Sequence, residues 1–126
     1  MGSYTLKWNT GAQRIEFTMT GVWDSETMRR WDAEYRAAVS QAPAGAWTVL
    51  GDMSNYPAQS AEIQKGHERL IAYSAVNGMT KAVLVVPKAV VAMQMKRLVD
   101  SAKAQMVTYA ASVDEAKKLL AAVPHV

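Results

Sequence analysis

Three polar side chains near the middle of the chain could take part in binding or in modification. Asp52 follows a short apolar segment, Ser54 comes two residues later, and Ser60 precedes a helical pattern. Ligands of open α/β sheets bind at the carboxyl ends of strands, where Asp52 is predicted to lie. A serine before a helix either caps it or, once phosphorylated, holds a phosphate against free N–H groups and the helix dipole. We expect the segment from Asp52 to Ser60 to border any site, with Asp52 alternatively shaping the turn through the amides of its own loop.

The two histidines give little basis for catalysis or for metal binding. His67 falls on or beside the apolar face of a predicted helix, and His125 stands close to the end of the sequence. The sequence has no cysteine, which excludes disulfides, thiolate nucleophiles and sulfur-ligated metals. Its seven glycines are dispersed and form no nucleotide-binding loop. We predict no metal, no cofactor and no enzymatic activity, and we interpret His67 as a hydrogen-bonded structural residue.

Methionine and tryptophan raise the alternative of an apolar pocket. The chain has eight methionines and four tryptophans, among them Trp47, Met93 and Met95 in predicted strands and helices. These side chains could line a pocket for a small apolar ligand, or they could fill the core, because methionine adapts to irregular gaps. Exposed apolar residues around the third helix would instead favour a homodimer contact.

The charge pattern argues against nucleic-acid and membrane partners. The formal net charge is +3, but lysines and arginines are scattered, and several have a carboxylate one helical turn away, as Glu26 and Arg30 do. Phosphate backbones require clustered and unpaired cations, so we predict no nucleic-acid binding. No apolar run is long enough to cross a bilayer, and the sequence after Met1 has no signal-peptide pattern. We therefore predict no membrane insertion and a cytoplasmic location.

The pattern of apolar residues predicts one α/β domain over residues 1–126. Alternation predicts a hairpin, and three later apolar segments predict strands. The five predicted strands are Tyr4–Trp8, Arg14–Thr20, Trp47–Asp52, Lys81–Val86 and Met106–Ala110. Apolar residues recurring every three or four positions predict four helices, which run up to Ala42, from Ser60 to a stop at Asn77 and Gly78, from Val91 to Ala102, and from Ser112 through Val123. Asp24 or Ser25, Ser60, and Ser112 with Glu115 are the predicted caps, and Pro43, Ala44 and Gly45 end the first helix. The order is ββαβαβαβα, which favours a mixed, mostly parallel five-strand sheet with four helices.

This organisation resembles the STAS family. The resemblance lies in the buried strand before Asp52 and the helix that starts at Ser60. More narrowly, the Gly-Val-Trp-Asp segment 21–24 and the final Ser-x-x-Glu-Ala segment 112–116 look like the SpoIIAA-like group. In STAS anti-anti-sigma proteins the helix after the third strand opens with Asp-Ser-Ser-Gly, and one of these serines is phosphorylated to release a partner kinase. The corresponding residues here are Gln-Ser-Ala-Glu, of which only Ser60 matches the motif.

The resemblance implies a non-catalytic, regulatory domain that acts by binding another protein. The implied contact surface is the loop after the third strand together with the helix starting at Ser60. The alternative is a carrier or sensor of a small apolar, lipid-like molecule, because SpoIIAA-like proteins also resemble lipid-carrying domains of related fold. Such a carrier requires a cavity of several hundred cubic ångströms.

Overall fold

The computed structural model describes residues 2–42 and 46–121, and this part of the chain forms five strands and four helices. The strands are β1 (Ser3–Asn9), β2 (Arg14–Thr20), β3 (Trp47–Asn55), β4 (Met79–Val85) and β5 (Val107–Ala110). The helices are α1 (Ser25–Val39), α2 (Ala61–Val76), α3 (Ala89–Ser101) and α4 (Val113–Ala121). The predicted element order is confirmed. Pro43, Ala44, Gly45, Val123 and His125 lie outside the described residues.

The strands form one sheet in the order in which they occur along the chain, β1-β2-β3-β4-β5. β1 pairs with β2 in antiparallel fashion, and every later pairing is parallel. From β2 to β5 the chain advances across the sheet in one direction. Right-handed crossovers therefore place α1, α2 and α3 on the same face. α4 follows the last strand, makes no crossover, and packs against β3, β4 and β5 on the opposite face.

The ends of the helices are fixed by local side-chain chemistry. Asp24 caps α1 by accepting a hydrogen bond from the Thr27 N–H at 2.8 Å. Ser112 caps α4 by accepting one from the Glu115 N–H at 3.2 Å. Of the two residues predicted to cap the first helix, Asp24 does so and Ser25 does not. The predicted cap of the last helix, Ser112, is confirmed.

β3 is longer than the sequence indicated, and this changes the setting of Ser54. Asp52 is paired with Thr18, and Asn55 with Thr20, so the strand does not end at Asp52 but continues through Asn55. Ser54 therefore lies within the strand, not in a loop after it. Sheet pairing with β2 overrides the turn propensity of this polar segment. α1, by contrast, is shorter than predicted and ends at Val39.

Candidate functional site

Ser60 stands at the amino end of α2 with its side chain exposed to solvent. Its backbone is extended, with φ −65° and ψ 163°, and its hydroxyl oxygen accepts a hydrogen bond from the Ile63 N–H at 3.4 Å. The predicted cap is therefore present, although the bond is long. Ser60 therefore caps α2 and at the same time remains accessible to solvent.

The residue before this cap, Gln59, is buried and ties together three separate parts of the chain. Its Oε1 accepts a hydrogen bond from the Trp23 N–H at 2.9 Å. Its Nε2 donates to the carbonyl oxygens of Gly21 and Pro57 at 3.0 and 2.9 Å. The side-chain amide thus makes three hydrogen bonds, which offset the cost of burying its polar atoms.

The backbone of Gln59 is bonded to α3 as well. Its N–H donates to Gln94 Oε1 at 3.0 Å, and its carbonyl accepts from Gln94 Nε2 at 3.2 Å. Gln64 Nε2 donates to the same carbonyl at 3.0 Å. On the other side, Ser25 Oγ donates to Glu62 at 2.8 Å and joins the first turns of α1 and α2. The amino end of α2 is therefore held between α1 and α3.

Most of the large exposed apolar side chains lie next to this hydrogen-bonded cluster. In residues 2–42 and 46–121 these side chains are Val22, Val76, Val90 and Met93. Val22 precedes Trp23, Met93 precedes Gln94, and Val90 stands one helical turn before Gln94. We call Val22, Ser60, Val90 and Met93 the α2 amino-terminal surface. The fourth exposed side chain, Val76, lies at the far end of α2.

Asp52 and Ser54 bond to each other and lie apart from this surface. Asp52 Oδ1 accepts hydrogen bonds from the Ser54 N–H at 3.0 Å and from Ser54 Oγ at 2.6 Å. Asp52 lines a surface groove together with Val113 and Lys117 of α4, which places it on the face opposite to α2. The structure therefore separates Asp52 and Ser54 from Ser60, and it shows the local hydrogen bonding of the turn-shaping alternative.

The three candidate pocket residues are also separated. Trp47 is buried and donates from Nε1 to the Asn77 carbonyl at 2.8 Å, whereas Met93 is 72% exposed. Met95 alone lines the internal cavity between the helices and the sheet. That cavity has a volume of about 60 Å³. Sites for small-molecule ligands are usually about 300 Å³ or more, so this core does not enclose a lipid.

His67 belongs to a buried aromatic cluster. Its Nε2 lies 2.7 Å from the hydroxyl of Tyr56, and its ring packs 5.3 Å from that of Trp23. Burial lowers the pKa of His67 to about 4 and raises that of Tyr56. The imidazole is consequently neutral at physiological pH. This geometry matches the interpretation of His67 as a hydrogen-bonded structural residue.

Solved structures establish the fold. An uncharacterized protein of the DUF3478 family from Shewanella loihica PV-4, described as having a SpoIIAA-like fold, superposes with a TM-score of 0.72 at 9% identity, over 94% of this chain and 93% of that one. The chain has the SpoIIAA-like fold. No protein-family model and no curated protein sequence matches it.

Two further structures share this fold. An anti-sigma factor antagonist from Mycobacterium paratuberculosis has a TM-score of 0.64 at 12% identity, over 96% of this chain and 95% of that one. The anti-sigma factor antagonist SpoIIAA in its unphosphorylated form has a TM-score of 0.58 at 13% identity, over 97% of this chain and all of the other. These matches confirm the SpoIIAA-like resemblance at the level of the fold.

The sequence did not identify Gln59 and Gln94 as residues of the candidate site. Neither stands in a motif, and the partners that link them to other elements, Gly21 and Trp23 for Gln59 and Gln59 for Gln94, are 35 residues or more away along the chain. The only sequence feature that could have indicated Gln59 is its position directly before the capping residue Ser60.

In the described ranges 2–42 and 46–121, no group of three or more His, Asp or Glu side chains could hold a metal ion. None of the helices described is long and apolar enough to span a bilayer.

Proposed function

We propose that this chain is a single, non-catalytic regulatory domain that binds another protein in the cytoplasm through the α2 amino-terminal surface. Its support is the exposure of Val22, Val90 and Met93 beside Trp23 and Gln94, the residues that bond Gln59 next to Ser60. Exposed apolar side chains that occur together are typical of protein contacts. Two structures of the same fold are named as antagonists of anti-sigma factors, which is a protein-binding role. The small core cavity offers no support for a lipid carrier.

We assign the regulatory position to Ser60, and not to Asp52 or Ser54. Ser60 is exposed and lies within the surface, whereas Asp52 faces the α4 side of the sheet. A phosphate on Ser60 would meet the free N–H groups of the first turn of α2. It would also place about two negative charges beside Met93 and Val90, and desolvating those charges would oppose an apolar contact.

The surface is tested by placing a charge on it. Met93→Asp is compared with Val76→Asp, which puts the same charge on an equally exposed valine at the far end of α2. A partner is first captured by cross-linking in source cells with the unaltered protein and is then purified for affinity measurements with each variant. We expect Met93→Asp to weaken binding about tenfold or more, because a buried unpaired carboxylate is costly, and Val76→Asp to leave it unchanged. Equal affinities for the two variants would reject the surface.

The regulatory role is tested with Ser60→Glu and Ser60→Ala. Loss of the cap alone in Ser60→Ala costs about 1 kcal/mol of folding stability and leaves partner affinity intact. Ser60→Glu is expected to lower the affinity for the same purified partner. Its folding is checked by the far-UV circular dichroism of the whole chain. Unaltered affinity in a folded Ser60→Glu protein would contradict the regulatory role of Ser60. It would not affect the conclusion drawn from Met93→Asp about the contact surface. If the captured partner is a second copy of this chain, the surface is a homodimer contact.

A further inference from the structure

β5 forms one edge of the sheet, and its outer side has unpaired backbone groups. In the described part of the chain it pairs with β4 alone. The carbonyls of Met106 and Ala110 accept hydrogen bonds from β4, from the N–H groups of Ala82 and Val86 at 3.2 Å. Because backbone groups alternate in direction along a strand, the N–H and the carbonyl of Tyr109 point away from β4. They are free to pair with another strand.

A groove runs along this free edge. It lies between the second half of α3 and β5 and has a volume of about 440 Å³. Val99, Val107 and Tyr109 supply its apolar lining, and charged side chains of Lys96, Asp100 and Lys103 stand around it. A volume of this size accommodates several residues of an extended peptide.

The turn after α3 fixes the position of one of these charges. The Ala104 N–H donates to the Val99 carbonyl at 3.1 Å, and the Lys103 N–H donates to the Asp100 carbonyl at 3.1 Å. This is the bonding pattern that ends many helices, and its left-handed position is usually glycine. Here Lys103 occupies it with φ 57°. The side chain therefore leaves the turn in a defined direction beside the groove.

The Tyr109 hydroxyl is a donor that lacks an acceptor. Its oxygen is buried and has no hydrogen-bond partner in residues 2–42 and 46–121. Burial, aided by the negative charge of Asp100, raises the pKa of Tyr109 to about 12. The hydroxyl is thus protonated at neutral pH. A buried donor without a partner costs free energy.

We propose that the edge of β5 and this groove bind an extended, acidic segment of a protein partner, which adds to the sheet as a sixth strand. The free backbone groups of Tyr109 select an extended chain, as in other cases of strand addition. Lys96 and Lys103 outnumber Asp100 around the groove, and this balance selects a negatively charged segment. Symmetric pairing with a second copy would bring the same lysines together and is disfavoured for that reason. The groove and the α2 amino-terminal surface both use α3, where Lys96 stands one helical turn after Met93, but strand addition at β5 does not depend on that surface.

The probe is a synthetic library of hexapeptides with valine at alternate positions and Asp, Glu, Ser or Lys at the others. Binding to the full chain is measured by fluorescence polarisation, and the contact is located by two-dimensional ¹⁵N–¹H NMR. We expect the acidic members to bind best, to shift the Tyr109 amide signal and to slow its hydrogen exchange. Absence of binding below about 1 mM by any member, or signal shifts confined to the α2 amino-terminal surface, would overturn the proposal.

Two pairs of variants separate backbone pairing from charge. Tyr109→Pro and Tyr109→Ala both lose the ring, but only the first loses the outward N–H, and an edge strand tolerates proline at such a position. We expect the best peptide to bind about tenfold more weakly to the proline variant than to the alanine variant. Lys103→Glu should weaken binding by a similar factor, and Lys65→Glu, on the exposed side of α2, should not. Equal affinities within either pair would contradict strand addition or charge selection respectively.

Discussion

The two faces of the sheet are covered very differently. Among residues 2–42 and 46–121, three helices on one face enclose a core of 25 buried residues that includes Trp23, Trp31, Tyr35 and Tyr56. On the other face, α4 covers a core of six buried residues of this described part, all aliphatic. Stability grows with the apolar area removed from water, and aromatic side chains contribute the largest areas. The three-helix face therefore supplies most of the stability.

The difference also explains where the candidate site lies. Gln59 reaches the backbone of Trp23, whose ring packs against Trp31, Tyr56 and His67. The amino end of α2 is thus tied to this aromatic cluster. A contact surface on a rigid support loses little conformational entropy when it binds. The buried core on the α4 face contains no aromatic residue among the described residues. Next to α4, this face of the sheet carries polar side chains of β1 and β2, among them Lys7, Glu16 and Thr18.

Truncation of Trp31 should have the largest effect. The side chain is 2% exposed, and its ring packs at 5.0 to 5.7 Å from four others, those of Tyr4, Phe17, Trp23 and Tyr35. We expect Trp31→Ala to lower the free energy of unfolding, measured in urea, by about 3 to 5 kcal/mol. Trp31→Phe keeps an aromatic ring and should retain a large part of this stability. A loss below about 2 kcal/mol in Trp31→Ala would show that the aromatic core does not dominate.

The pH dependence of stability should come next in size. His67 has a pKa of about 4 in the folded chain and 6.5 in the unfolded one, so unfolding takes up a proton between these values. The stability contributed by neutral His67 is complete above pH 6.5 and decreases as the pH falls to 4, by about 3 kcal/mol in total.

The control for this prediction is His67→Gln. Glutamine can still bond the Tyr56 hydroxyl but does not titrate. Urea unfolding of this variant between pH 7 and pH 4 should show a smaller decrease than the unaltered protein shows. Parallel pH profiles for the two proteins would mean that burial does not hold the imidazole neutral.

Truncation on the α4 face should have the smallest effect of the three. Leu120 is 1% exposed and packs in the small aliphatic core beneath α4. We expect Leu120→Ala to cost about 2 kcal/mol, the lower end for a buried leucine, because a helix on so small a core can separate from the sheet locally. Hydrogen exchange should show faster opening of α4 than of α2. A loss equal to that in Trp31→Ala would remove the contrast between the faces.

Sequence patterns were sufficient for most of the fold. The alternation of β2 predicted its bounds, Arg14–Thr20, as the structure has them. The caps Asp24, Ser60 and Ser112 were also predictable, because a cap needs only a short side chain and N–H groups two or three residues away. The extension of β3 beyond Asp52 to Asn55 was not, since it depends on pairing with β2.

For the candidate site, the sequence predicted the cap at Ser60 but not which of the candidate residues lie together. Ser60 was found from its position before a helix. Its grouping with Asp52 and Ser54 rested on sequence proximity, and the faces of the sheet separate them. Met93 was left between a pocket, a contact surface and the core, and it lies exposed on α3. A helical pattern with apolar residues on both sides does not reveal which side meets the core.

The sequence by itself determined the order of strands and helices, the helix starts and the SpoIIAA-like resemblance. These features depend on interactions between residues a few positions apart, which any reader of the chain can count. Only the tertiary structure decided that Gln59 joins the segment before α1 to α3, that exposed apolar side chains stand beside the residues bonded to Gln59, and that the edge of β5 faces an open groove. Those features depend on contacts between distant segments, whose partners are fixed only when the helices pack on the sheet.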